Sequence, residues 1–220
     1  MTNATPDNPP ALAAIKPAPR RPRASRETVR ARIRAAVTQE AVSGGIGALS
    51  IASVAKRAKV SAGTIYLHFA SKDDMLQQVY LEIKKDVHQQ IMRAAGEPNS
   101  PQMLKRLWYA LFDYVRDHPN DFLFVEFAGA AQVLTPEQAA TIAHHQADIR
   151  AVLQRAIDDG TLADLPLNVL MVLIVSPAMH LARQALLHGA QPSQSDIDLT
   201  FAQVWRAVSV PPDHAPLEND

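Results

Sequence analysis

Residues Leu49–Leu76 read LSIASVAKRAKVSAGTIYLHFASKDDML, and this stretch decides the fold. Ser50 is a helix-capping serine ahead of a short run of small and apolar residues, Ile51, Val54, Ala55 and Ala58. After a break at Lys59 and Val60, Ser61 caps a third helix of the chain that is expected to run to His68 or Phe69. Ser71 then caps a long helix from Lys72 towards Ala95, with Asp73 and Asp74 in the first turn where the helix dipole favours negative charge. Two short helices joined by a tight turn match a helix-turn-helix, whose second helix lies in the DNA major groove.

On a helical wheel Ile65 and Phe69 point inward together, which leaves Gly63 and Leu67 opposite and Thr64 and Tyr66 beside them. Such a surface suits close approach to base edges, because Gly63 leaves room and the two hydroxyls are donors. Ala62 and His68 complete the candidate surface. Ser50 and Ser61 add hydroxyls at helix starts, whose backbone N–H groups attract phosphate. Lys72 opposes its own helix dipole, a cost that makes sense if its ammonium meets a phosphate.

Outward from this stretch, the pattern stays helical. Ser25 caps a helix with Glu27 in its first turn and Val29, Ile33 and Val37 in one stripe, ended by Gly44, Gly45 and Gly47. Beyond a loop at Gly96–Pro101, Leu104, Leu107, Leu111 and Val115 trace a face that His118–Pro119 interrupts, and an aromatic helix is expected around Phe122–Ala131. Thr135-Pro136-Glu137 starts another helix, with Ile142, Ile149, Leu153 and Ile157 inward and Gly160 at its end. Residues 165–187 are apolar nearly all round, and Ser195–Val208 puts Ile197, Phe201, Val204 and Val208 on one side. No strand pattern or internal repeat stands out, so the expected class is all-α.

The chain has 220 residues with 22 basic and 22 acidic side chains, and the balance hides an asymmetry. Residues 1–94 carry 15 Lys/Arg against 7 Asp/Glu, a net +8, and residues 95–220 carry the mirror-image −8. A basic front half is attracted to polyanions by Coulomb forces and counterion release; membrane-surface binding is a further reading of the same charge. Residues 1–24 hold six of the 16 prolines and Arg20, Arg21 and Arg23, which reads as a disordered basic arm, and 211–220 as a flexible tail. Zero cysteine excludes disulfides and thiolate metal sites. With no secretory stretch at the start, an intracellular, cytoplasmic protein is expected. Asn168, Pro177, His180, Arg183 and Gln184 interrupt the most apolar helix, which argues against a membrane span.

Chemistry finds little footing. G-x-S-x-G, a phosphate-loop lysine pattern and H-E-x-x-H are missing, and Gly44-Gly45-Ile46-Gly47 lacks the strand and helix context of a nucleotide loop. His144 and His145 point about 100° apart on a helix, cannot readily share a metal and read as a solvent-facing pair. No enzyme, cofactor or metal is expected. The competing reading is a helical small-molecule-binding or protein-interaction module without DNA-binding activity, which would not need the basic arm and the Ser61–Lys72 surface.

Val54-Ala55, Ala58, Val60-Ser61, Gly63, Ile65-Tyr66, His68-Phe69, Lys72 and Leu76, preceded by an amphipathic helix ending in glycines, resemble the tetracycline-repressor (TetR) family of bacterial transcriptional regulators. The match covers about residues 25–80. Lys59 stands where the family has a turn glycine, which costs about 1 kcal/mol in a left-handed backbone, and the usual aromatic is missing near Ala41-Val42. The resemblance implies a DNA-binding domain over 25–71, a linking helix over 72–95, and a ligand-binding and dimerisation domain over 96–210. It also implies a homodimer through 165–188 and 194–208, a palindromic double-stranded operator, and a repressor released by a small-molecule inducer. Trp108, Phe112, Phe122, Phe127, Met171 and Met179 are candidates to line its pocket, with His118 or His180 as a polar handle. Such side chains are more often plain core.

Overall fold

The computed structural model describes residues 25–128 and 134–210, so the expected arm and tail lie outside the described residues. Among the described residues there are nine helices and no β-strand: α1 Arg26–Gly44, α2 Ile51–Ala58, α3 Ala62–Tyr66, α4 Lys72–Ala95, α5 Ser100–Asp117, α6 Pro119–Ala128, α7 Pro136–Asp158, α8 Leu167–Leu187 and α9 Gln194–Val208. The expected caps are in place. Ser25, Ser50, Ser61, Ser71 and Thr135 each accept a backbone N–H three residues on, satisfying donors that a helix start leaves open.

Several boundaries differ from expectation; α5, for one, starts at Ser100, inside the expected Gly96–Pro101 loop. α3 ends at Tyr66, and Leu67 and His68 form the turn that follows it. α6 starts at Pro119, three residues early, because a proline in a first helical turn gives up an N–H that has no intrahelical partner there. The end expected for this helix falls at residues 129–131, outside the described residues.

Two apolar cores run through the chain. The first joins Ile33 and Val37 of α1, Val54 and Ala58 of α2, Ile65 and Phe69, and Met75, Val79 and Ile83 of α4. It also takes in Tyr114 of α5 and Phe124 and Ala128 of α6, so the front helices share buried surface with the rest of the chain. The second core joins α5, α7, α8 and α9 through Met103, Trp108, Leu153, Leu170, Ala182 and Ile197. Burying many such side chains, at roughly 1.5–3 kcal/mol each, is what offsets chain entropy in both cores. α8 is long and apolar enough to cross a bilayer by length and composition. It nevertheless packs on α5, α7 and α9 through Leu170, Ala178 and Ala182, and leaves Val169, Val172, Val175 and Leu187 exposed.

Candidate nucleic-acid interface

α2 is held at its start by a reciprocal capping box between Ser50 and Ser53, and at its end by a left-handed turn. Lys59 has φ 54° and ψ 47°, the only positive φ at a non-glycine among the described residues. The Lys59 N–H donates to Lys56 O at 3.3 Å and the Val60 N–H to Ala55 O at 3.0 Å, the bond pair of a Schellman motif. The expected strain at Lys59 is therefore present, and the turn closes in spite of it.

Ser61 then accepts the Thr64 N–H at 3.1 Å and shares a hydroxyl–hydroxyl bond with Thr64 at 2.9 Å. Ile65 and Phe69 are buried, which anchors one side of α3 in the first core, while Tyr66 is 57% and Leu67 77% exposed on the other. Ser50, Ser61, Ala62 and Gly63 are exposed as well, and Thr64, His68 and Lys72 are half-buried. All nine residues expected at the interface thus lie on the α2–α3 unit and the first position of α4. A Cβ built on Gly63 would meet only Ser61 Oγ, at 3.7 Å, so the fold itself does not require glycine there.

The support beneath this surface comes from α1 and α4. The Arg30 guanidinium lies 4.8 Å over the Phe69 ring, donates to Gln78 Oε1 at 2.7 Å and pairs with Glu82. Gln78 donates to Asp74 Oδ1 at 2.7 Å, and Asp74 Oδ2 accepts the Ala70 N–H at 2.7 Å. This chain fixes the segment between α3 and α4. Burial, then Arg26 and Arg30, hold the His68 imidazole below its ordinary value, which favours its neutral form. Arg57 pairs with Glu40 across α2 and α1, and that bond, with one from Ser53, lowers the Glu40 carboxyl.

A second set of charges joins the front helices to the rest. Arg34 of α1 pairs with Asp86 of α4 and with Asp121 of α6, the latter at 2.6 Å. Burial opposes the Arg34 charge, but the two carboxylates outweigh it and the guanidinium stays protonated. Beside them Tyr114 is 3% exposed, and burial followed by Asp121 pushes its hydroxyl up. Arg34, Asp86 and Asp121 line a cleft of about 350 Å³ between α1 and α6, together with His118 and Asn120.

Of the eight residues expected around a small-molecule pocket, Trp108, Phe112, Phe122, Met171 and Met179 lie in or against the second core, and Phe127, His118 and His180 do not belong to it. Trp108 and Phe112 touch in the second core at 5.7 Å, and the Trp108 indole donates to Ile197 O at 3.2 Å, which ties α5 to α9. Phe122 is buried, Met171 and Met179 are half-buried, and Phe127, His118 and His180 are exposed. His118 alone of the eight lines the α1–α6 cleft. One expectation needs correction: His144 is exposed, but His145 is half-buried and stacks on His88 of α4 at 4.1 Å and 12° between planes. His88 bonds Asp148 at 2.8 Å, and among the described residues His145 Nδ1 is buried with no hydrogen-bond partner. The second helix supplying these contacts lies 57 residues away in the chain, beyond any periodic signal. Among the described residues no group of three or more His, Cys, Asp or Glu could hold a metal ion.

Residues 33–79 match the family model for bacterial regulatory proteins of the tetR family, and residues 101–209 match that for the tetracyclin repressor-like C-terminal domain. An uncharacterized HTH-type transcriptional regulator of Haemophilus influenzae is 25% identical over 171 residues, covering 74% of this chain and 87% of that protein. Among solved structures, a TetR family transcription regulator from Marinobacter aquaeolei is similar with a TM-score of 0.75 at 22% identity, over 84% of this chain and 97% of that one. A putative tetR family transcription regulator from Shewanella sp. PV-4 is similar with a TM-score of 0.66 at 22% identity, over 83% and 99%.

Proposed function

Because the chain belongs to the TetR family of bacterial transcriptional regulators, we propose that it acts as a homodimeric repressor that binds a palindromic operator and is released by a small molecule. The observation that carries the reading is the asymmetry of α3 and the turn after it: Ile65 and Phe69 are buried while Tyr66 and Leu67 stand out in solvent. These two large side chains offer a partner a surface that the fold leaves uncovered. The basic front half supplies the long-range attraction, and the Gly63–Thr64–Tyr66 surface the close contacts.

The dimer follows from the other end of the chain. Val169, Val172, Val175 and Leu187 of α8 and Leu199 of α9 are exposed on adjoining helices, and two copies of such a face bury each other about a two-fold axis. That pairing explains the apolar length of α8 without a bilayer and suits a cytoplasmic regulator. Two recognition helices then address half-sites about one helical turn, ~34 Å, apart or slightly more. A ligand held among α5–α8 would act through its different affinity for the operator-bound and free shapes, a coupling of about 1–3 kcal/mol. Arg34 and the α1–α6 contact are the connection through which such a change reaches the front helices.

The test is a salt titration of binding to a duplex selected from a random library, compared with an unselected duplex of equal length. Preference for the selected duplex, with affinity falling steeply and log-linearly with salt, is the expected result. Equal binding to both, or none, would hand the chain to the reading of a helical binding module without DNA recognition.

A further inference from the structure

The turn between α2 and α3 sets the direction in which α3 leaves α2, and it is built on a lysine in a backbone conformation that favours glycine. The two Schellman bonds satisfy the carbonyls of Ala55 and Lys56. The Ala58 and Lys59 carbonyls, at the negative end of α2, remain. Both are met from a different helix: one Nη2 of Arg32, on α1, donates to Ala58 O and to Lys59 O, the latter at 2.9 Å. A guanidinium here also opposes the negative pole of α2, where cations are favourable. Of the two basic residues in the last turn of α2, Lys56 and Arg57, the latter is engaged with Glu40.

Three alanines leave room beside these carbonyls. Ala35, Ala36 and Ala58 line a cleft of about 280 Å³ together with Arg32, Gln39, Arg57 and Lys59. We propose that Arg32 is a positioning residue for DNA recognition: it clamps the left-handed turn from α1 and so holds α3 at the angle that a glycine turn would reach without help. This rests on the DNA-binding reading above. It assigns Arg32 a role through the protein backbone, distinct from the phosphate contact that a front-half arginine would ordinarily suggest.

The two roles make different predictions. A phosphate contact contributes to every duplex alike, whereas a misdirected α3 loses the selected sequence and keeps general electrostatic attraction. The experiment measures, by fluorescence anisotropy, binding of wild type, Arg32→Ala, Arg32→Lys, Lys59→Gly and Arg32→Ala/Lys59→Gly to a duplex selected by the wild type and to a random duplex. Thermal midpoints are recorded for each protein. Arg32→Ala is expected to cut the ratio of selected to random affinity by about tenfold with random-duplex binding within about twofold of wild type. Lys59→Gly alone leaves the ratio unchanged, and in the Arg32→Ala background restores it to within about threefold. Arg32→Lys, which keeps a donor and a charge, falls between, and serves if Arg32→Ala does not fold. Equal loss on both duplexes, a ratio untouched by Arg32→Ala or Arg32→Lys, or failure of Lys59→Gly to restore it would overturn the proposal. A wild type without preference for any duplex removes the DNA-binding reading and this inference together; a preference that survives loss of Arg32 removes only the inference.

Discussion

Gly63 separates what the fold needs from what a partner needs. Its φ is not left-handed, and an added Cβ would make only ordinary contact with Ser61 Oγ. Alanine also prefers helix to glycine by about 0.5–1 kcal/mol. Gly63→Ala is therefore expected to leave the thermal midpoint unchanged or slightly higher while weakening binding to a selected duplex by about tenfold, the cost of one methyl where a base edge or sugar should sit. Wild-type affinity in this variant would show that nothing approaches α3 closely at that point. Lys59 is the opposite case, a residue whose cost is internal to the chain and is offset by Arg32.

At the scale of elements, α4 is the shared wall. Its start joins the front helices through Asp74, Gln78 and Glu82, its middle meets Arg34 through Asp86, and His88 stacks on His145 of α7. Burial, followed by the nearby His88, His144 and Lys84, holds the His145 imidazole below its ordinary 6.5, against a smaller opposing pull from Asp148. With the folded value depressed, the unfolded chain takes up the proton first as pH falls. The stabilisation is thus complete above about 6.5, the unfolded value, and is lost as pH drops through the folded value. His68 shifts in the same direction. Urea midpoints are expected to fall between pH 7.5 and pH 5, and His145→Gln should flatten part of that slope. A slope identical to wild type would show that the α4–α7 stack does not sense protons.

The whole molecule is shaped by a surface it does not cover by itself. Val172 is 60%, Leu187 54% and Leu199 61% exposed, on two helices that pack against each other. Val172→Glu combined with Leu199→Glu is expected to give a monomer by sedimentation at micromolar concentration, with helical content retained because neither side chain belongs to a core. Binding to a palindromic duplex should then drop by about a hundredfold or more, since the two half-sites are no longer engaged by one linked unit. A wild-type chain that sediments as a monomer would remove the dimer from the account.

The local code was sufficient for the elements. Capping serines at 25, 50, 61 and 71, the 3.6-residue stripes and the inward Ile65–Phe69 pair act within a few residues of themselves, so the helices, the serine-capped starts and the outward face of α3 were legible in the chain alone. The end of α3 and the start of α6 were not: the first depends on what the next turn packs against, and at the second Pro119 opens a helix where it reads as a break. Arg32 with the α2 turn, Arg34 with Asp121 and His88 with His145 join residues 26 to 87 positions apart. No periodicity encodes such pairs; they exist only once two apolar faces have chosen each other and brought their polar margins within hydrogen-bond reach. Tertiary packing decided how the turn is held and how the front helices connect to the rest, because those contacts are consequences of burial and not of local propensity.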